Sequence, residues 1–315
     1  MEYLLVFLGL GLLAALAGGG GGGGSDAPDG GGGAEPPDPT IDGSDLPDSL
    51  TGTGFDDVIF GRAGNDTIEG LAGNDYLDGN ADDDSILGGA GDDSLFGGGQ
   101  DDLLFGEGGA DFLRGGENAD YLDGGLQNDT LEGAKGTDNL LGGEGDDYLR
   151  GGPGNDSLIG GADADILEGG PGADTLIGIS GDFETAPDED TDGADRLEGW
   201  NGADIIVMGK GDEAYGEYAT GVADGAGDAF VSGIWAETDP PIVRDYDPTA
   251  DRLLLYYDAA TDPPPEVMVT PIEIAGETTY EIALDNVTLM LVDVGTSTTV
   301  IAPEDVQLVP GSALT

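Results

Sequence analysis

Fourteen aspartates recur at intervals of nine residues: Asp57, Asp66, Asp75, Asp84, Asp93, Asp102, Asp111, Asp120, Asp129, Asp138, Asp147, Asp156, Asp165 and Asp174. Each follows a glycine by five residues, from Gly52 to Gly169, and precedes an Ile or Leu by two. A further glycine stands two residues before eight of them, at Gly64, Gly73, Gly91, Gly109, Gly136, Gly145, Gly154 and Gly172. A carboxylate next to glycine-rich backbone offers hard oxygen ligands, the side chain from Asp and carbonyls from turns that glycine enters freely. Ca²⁺ takes six to eight oxygens at about 2.3–2.6 Å and is the ion such a set suits. Competing chemistry is thin. Lacking His and Cys, the chain has no imidazole acid/base, no Ser–His–Asp or Cys–His pair, no HExxH zinc site, no disulfide and no iron–sulfur cluster.

The elements that must position these groups follow from the period. Counting the invariant glycine as position 1, positions 7–9 predict a short strand with the Ile/Leu of position 8 turned inward. Positions 1–6 predict a turn, with the glycines of positions 1 and 4 at positive φ. Two units close one right-handed coil, so the fourteen units of residues 52–177 predict about seven coils stacked at about 4.8 Å. The expected fold class is all-β, a parallel β-roll (a two-sheet solenoid) followed by a small C-terminal β domain. Asp57, Asp75, Asp93, Asp111, Asp129, Asp147 and Asp165 then line one edge, and the other seven line the opposite edge. Seven turns per edge leave six gaps, an upper limit of about twelve Ca²⁺ ions. Fourteen aliphatic side chains form a thin core for 126 residues, too little to offset the ordering entropy of so many glycines. Bound metal is expected to make up the difference.

Composition agrees. The 315 residues carry 66 acids against 8 bases, a net charge of −58, so the chain repels itself when compact and has no basic footprint for nucleic acid. Residues 1–17 contain the apolar run 3–17 ending in Ala15-Leu16-Ala17, a secretory signal or N-terminal anchor pattern, although no Lys or Arg precedes it. Residues 18–51 are Gly/Pro/Asp-rich and predict a disordered linker. After the repeats, 178–227 predict an irregular continuation of the roll and 228–315 a C-terminal β domain or cap. The β-rich runs there include Ala229–Trp235, Leu253–Tyr257 and Val287–Val294. The expected setting is extracellular or on a bacterial cell surface. Cell-surface or matrix components are the expected partners besides calcium, and the membrane is reached only through an uncleaved N-terminal segment.

Units such as Gly142-Gly143-Glu144-Gly145-Asp146-Asp147-Tyr148-Leu149-Arg150 match G-G-x-G-x-D-x-U-x at every fixed position. The block therefore resembles the RTX, or hemolysin-type, calcium-binding repeat proteins. The resemblance covers about 40% of the chain and implies a secreted bacterial β-roll that folds on meeting millimolar external Ca²⁺. Val243–Leu253 resembles, more weakly, a segment that often follows such blocks. Position 4 departs from glycine at Phe55, Asp82, Gln100, Asn118, Gln127 and Asp163. Asn and Asp tolerate left-handed geometry better than Phe or Gln, so weak or empty sites are expected beside Phe55, Gln100 and Gln127. An N-terminal signal also departs from the C-terminal export signal usual in that family.

Other functions have less support. Asp188–Gly193 starts like an EF-hand loop, but its twelfth position is Gly199 and its neighbours are β repeats. An enzyme reading, a secreted hydrolase or lyase acting on polysaccharide, would draw on paired acids outside the repeat phase, Asp182, Glu184, Glu213 and Glu217. No catalytic constellation accompanies them, and a non-enzymatic role is expected. Outward positions 7 and 9 include Val58, Phe60, Phe96, Leu103, Phe105 and Phe112, either an interface or a surface covered by flanking segments. A regular Thr/Asn row, as an ice-binding face requires, is absent at position 7.

Overall fold

The computed structural model describes residues 40–179, 193–209, 211–216, 227–233, 240–244, 246, 250–257, 267–274, 277–284, 287–293 and 301–310. The apolar segment 3–17, most of the Asp188–Gly193 loop, and Asp182, Glu184 and Glu217 lie outside them. The architecture is all-β: two long sheets of parallel strands, filled alternately along the chain. Val58–Ala63 pairs with Tyr76–Ala81 in the first sheet, and Thr67–Ala72 pairs with Ser85–Ala90 in the second. The register advances by two units at each step, as in Ile59↔Leu77 and Leu77↔Leu95. Sequential strands therefore lie on opposite walls, and two nonapeptides make one coil, as the spacing predicts.

The core is the row of position-8 residues. Ile59, Ile68 and every corresponding Ile or Leu through Leu176 are at most 1% exposed. One side chain per strand suffices because the two sheets face each other across a single layer, so alternation buries positions 8 and 1 and leaves 7 and 9 outward.

Three boundaries differ from those expected. Most strands of the repeat block run six residues, from position 7 to position 3 of the next unit, and the turn shrinks to positions 4–6; Tyr148–Arg150 and Thr175–Ile177 keep three residues. The reason is a left-handed residue at position 2, for example Arg62 (φ 85°), Leu71 (83°) and Gly143 (123°). It lets the ladder skip position 1 and resume, as in Asp123↔Leu141 followed by Gly125↔Gly143. The strands also begin before Gly52: Ile41–Asp42 and Ser49–Thr51, within the predicted linker, join the first and second sheets. At the other end, strands between 196 and 215, where an irregular continuation of the roll is expected, and strands of the C-terminal β domain or cap expected over 228–315 extend the same two sheets. Arg196–Asn201, Glu213–Tyr215 and Ile242–Val243 continue the first sheet, while Ile205–Val207, Ala229–Gly233, Arg252–Tyr257 and Val306–Pro310 continue the second. An antiparallel meander, Val267–Ile274, Glu277–Leu284 and Val287–Asp293, closes the first sheet. One hydrophobic cluster runs from Ile59 to Val306.

Candidate metal-binding ladders

The turns stack into two rows along the edges of the roll. In each row, the backbone N–H of one position-6 Asp donates to Oδ1 of the Asp one coil further on. Asp57, Asp75, Asp93, Asp111, Asp129, Asp147 and Asp165 are linked this way at 2.7–2.8 Å. Asp66, Asp84, Asp102, Asp120, Asp138, Asp156 and Asp174 form the opposite row at 2.8–2.9 Å. The two rows are those that the alternation of units predicts. They also extend further: Asp48 precedes Asp66, Asp165 leads on to Asp195 and Asp212, and Asp174 to Asp204, Asp228 and Asp251.

The fourteen carboxylates from Asp57 to Asp174 are buried, at 1–3% exposure. From Asp66 to Asp174 the second oxygen, Oδ2, is also buried and has no hydrogen-bond partner. A buried unpaired carboxylate oxygen is costly, and here the cost repeats in thirteen consecutive turns. Such a row fits a cation. Glycine supplies the opening beside it. A Cβ on Gly52 would sit 2.6 Å from both Asp57 Oδ2 and the carbonyl of Gly70 in the next coil, and one on Gly169 would sit 2.6 Å from Asp174 Oδ2 and 2.9 Å from Gly199 O. Position 1 is therefore glycine to clear a space where a carboxylate and a carbonyl converge. It does not take positive φ, which falls at positions 2 and 4.

At position 4, Gly64, Gly73, Gly91, Gly109 and Gly145 are left-handed, whereas Gly136, Gly154 and Gly172 are not. Cβ atoms on Gly154 and Gly172 would meet the position-4 carbonyl of the preceding coil and Oδ1 of their own Asp156 (2.9 Å) and Asp174 (3.1 Å). Asp82, Gln100, Asn118, Gln127 and Asp163 hold the left-handed conformation (φ 76–80°), so these turns keep their shape with some strain; Phe55 does not adopt it. Among the described residues no group of three acidic side chains converges, so an ion between turns must take much of its shell from carbonyls. Carbonyl-rich, adaptable sites favour Ca²⁺ over Mg²⁺.

Burial pushes the carboxyls of the inner coils upward, opposed by the backbone hydrogen bond each accepts. Asp111, Asp138 and Asp147 reach about 6; Asp84, Asp93, Asp120, Asp156, Asp165 and Asp174 about 7; Asp102 and Asp129 about 8. The first coil is built differently. Asp48 Oδ2 accepts from the Ser44 N–H (2.6 Å) and hydroxyl (2.9 Å), and Asp57 Oδ2 from the Thr53 N–H (2.5 Å) and hydroxyl (3.1 Å). Protein donors thus satisfy the oxygen that later turns leave bare.

Position 5 carries a second ladder that the period alone does not announce. Asp92 N–H donates to Asn74 Oδ1 (3.2 Å), Ala110 N–H to Asp92 Oδ1 (3.0 Å) and Ala119 N–H to Asp101 Oδ1 (3.1 Å), in the opposite sense to the position-6 row. Asp or Asn at nine of the fourteen positions is the signal that could have exposed it. Of the acids outside the repeat phase, Glu213 is described. Its carboxylate binds Arg244 at 2.6 Å, and that hydrogen bond holds it below the usual carboxylate range.

Two glycines two residues apart test the cleared space. Gly106→Ala would place a methyl against Asp111 Oδ2 and 2.6 Å from Gly124 O, whereas the same change at Gly108 meets nothing closer than Gly89 O at 3.8 Å. Overpacking of this kind costs about 1–3 kcal/mol. Gly106→Ala is expected to raise the calcium concentration needed for folding roughly tenfold or more, read by circular dichroism, with Gly108→Ala near wild type. Equal midpoints would count against the cleared space.

The family model described as the RTX calcium-binding nonapeptide repeat (4 copies) matches residues 42–77, 69–104, 78–113, 105–140, 114–149, 141–176 and 189–212. No curated protein matches the chain. The matched segments span half of the sequence, start where the first strand joins the sheet and reach past the fourteen units into the continued rows, so the chain belongs to the family of RTX calcium-binding nonapeptide repeat proteins.

Proposed function

We propose that Ca²⁺ ions are held between stacked turns along both edges by Asp57, Asp66, Asp75, Asp84, Asp93, Asp102, Asp111, Asp120, Asp129, Asp138, Asp147, Asp156, Asp165 and Asp174 together with position-4 backbone. In this reading the protein is a secreted or surface-tethered, non-enzymatic module that folds on meeting external calcium and serves a structural, matrix or adhesive role. The observation that carries it is the run of thirteen buried Oδ2 atoms without partners, Asp66 to Asp174. An ion there would satisfy the orphaned oxygens and offset part of the −58 charge. The apolar segment 3–17 and the family membership support export. Seven turns per row allow up to about twelve ions, fewest beside Phe55, where Thr53 already caps Asp57. Metal analysis after dialysis in millimolar CaCl₂ is expected to find several Ca²⁺ per chain, displaced poorly by equimolar Mg²⁺. One ion or none per chain would reject the reading.

A further inference from the structure

The outer faces of the two sheets differ in charge. Five of the eight cations, Arg62, Arg114, Lys135, Arg150 and Arg196, lie in strands of the first sheet, whereas Arg252 is the one cation in the described strands of the second. The first face also bears a continuous aromatic stack: Phe60–Tyr76 (5.8 Å between centroids), Tyr76–Phe96 (5.1 Å) and Phe96–Phe112 (5.7 Å), one ring per coil. The stack leads into a groove of about 600 Å³. Its floor is Gly98, Gly116, Ala134 and Gly152, small residues in register across four coils, so it runs along the roll axis for about 14 Å. Phe96, Arg114, Glu132 and Arg150 wall one side; Glu117, Lys135 and Pro153 wall the other. A second hollow of about 430 Å³ follows on the same face, between Tyr148, Ile166 and Trp200.

The charges in the groove nearly cancel, three cations against two acids, on a chain of net charge −58. On the wall opposite the arginines Lys135 Nζ binds Glu117 at 2.8 Å, but the arginine pairs are loose, with Arg114 Nε 3.9 Å from Glu132 and Arg150 Nε 3.9 Å from Glu168, so guanidinium N–H groups remain available to a ligand. We propose that this strip docks an uncharged polysaccharide lying along the roll axis. Sugar rings would place their C–H faces on the aromatic stack and their hydroxyls against the Arg/Glu walls. A neutral polymer fits where a second copy does not, because a chain of net charge −58 stays strongly negative even with about twelve Ca²⁺ bound, and two such chains repel on approach. A polyanion meets the same field everywhere beyond the groove. The proposal rests on the calcium-dependent adhesive reading, since only the folded roll displays the strip.

The test uses the full chain folded in calcium. Cellohexaose and insoluble cellulose serve as neutral probes, polygalacturonate as the acidic one, with retention and affinity electrophoresis as readouts. Wild type is expected to bind the neutral probes, and Tyr76→Ala/Phe96→Ala to weaken that binding about tenfold with an unchanged calcium-folding curve. Leu103→Ala, 47% exposed on the opposite sheet, is expected to have no effect. No retention of neutral probes, binding of polygalacturonate alone, binding insensitive to the double variant, or a dimer that the double variant dissociates would each overturn it. Folding in calcium without glycan binding removes this proposal alone; failure to fold in calcium removes the reading beneath it.

Discussion

Chelating calcium is expected to convert the roll into a largely unfolded chain. In the ion-free fold, eleven aspartates have carboxyls raised to between about 6 and about 8 by burial. Ionising one of them near neutral pH costs the fold about 1 kcal/mol even after a several-fold discount for solvent screening. Eleven such costs fall within or above the 5–15 kcal/mol that typically separates folded from unfolded chains. The core cannot cover them, because each strand of the repeat block buries one aliphatic side chain at position 8. Far-UV circular dichroism and sedimentation in chelator, then in millimolar CaCl₂, should show loss and return of the β signal with a large change in hydrodynamic radius. A chain equally compact and β-rich in both buffers would contradict the role given to the ladders.

The pH dependence should change sign with calcium. Without the ion, the folded carboxyls titrate above the unfolded value of about 3.9, so the folded state holds more protons. That contribution to stability is complete below about pH 4 and is lost as pH rises through the folded values near 6–8. The calcium-free chain should therefore gain β structure on acidification from about pH 8 to about pH 4. Lower net charge pushes the same way, but high salt screens that surface term and leaves the buried one. With calcium the order inverts, because the ion takes the ionised carboxylate and must displace a proton. Calcium midpoints should move to higher concentration on going from about pH 8 to about pH 5, with protons released on binding in a pH-stat. A calcium-free chain that becomes more structured as pH rises would refute the burial of these groups.

The coil was legible because it is written in three fixed positions: glycine at position 1, aspartate at position 6, and isoleucine or leucine at position 8. Their phase sets both which strands pair and which aspartates share an edge. What escaped was written in no fixed residue. Position 2 adopts left-handed φ in Arg62, Leu71, Glu107 and Trp200 as well as in glycines, so composition there carries little trace of the bend that doubles the strand length. The glycine of position 1 suggests freedom of φ, but what matters is the space beside the position-6 aspartate, which depends on a carbonyl eighteen residues away. The C-terminal strands, for example Ala229–Gly233 and Val287–Asp293, were readable as strands from their β-branched and aromatic content. Their membership of the roll's own sheets was not, since the unequal spacing of these runs in the sequence erases the period that marks alternation. Phe60, Phe96 and Phe112 stood out as outward-facing rings; that they join Tyr76 in one file follows from register.

Alternation gives the roll a parity. Excising a single nonapeptide would send every later strand to the opposite wall and strip half of one face of its rings and cations. Excising eighteen residues would shorten the roll by one coil and leave both faces in order. Extra residues between turns are neutral in this respect: Asp165 joins Asp195, and Asp174 joins Asp204, each across 30 residues, without exchanging rows. Coils can thus be added or lost only as whole pairs of repeats if the two faces are to keep their identities.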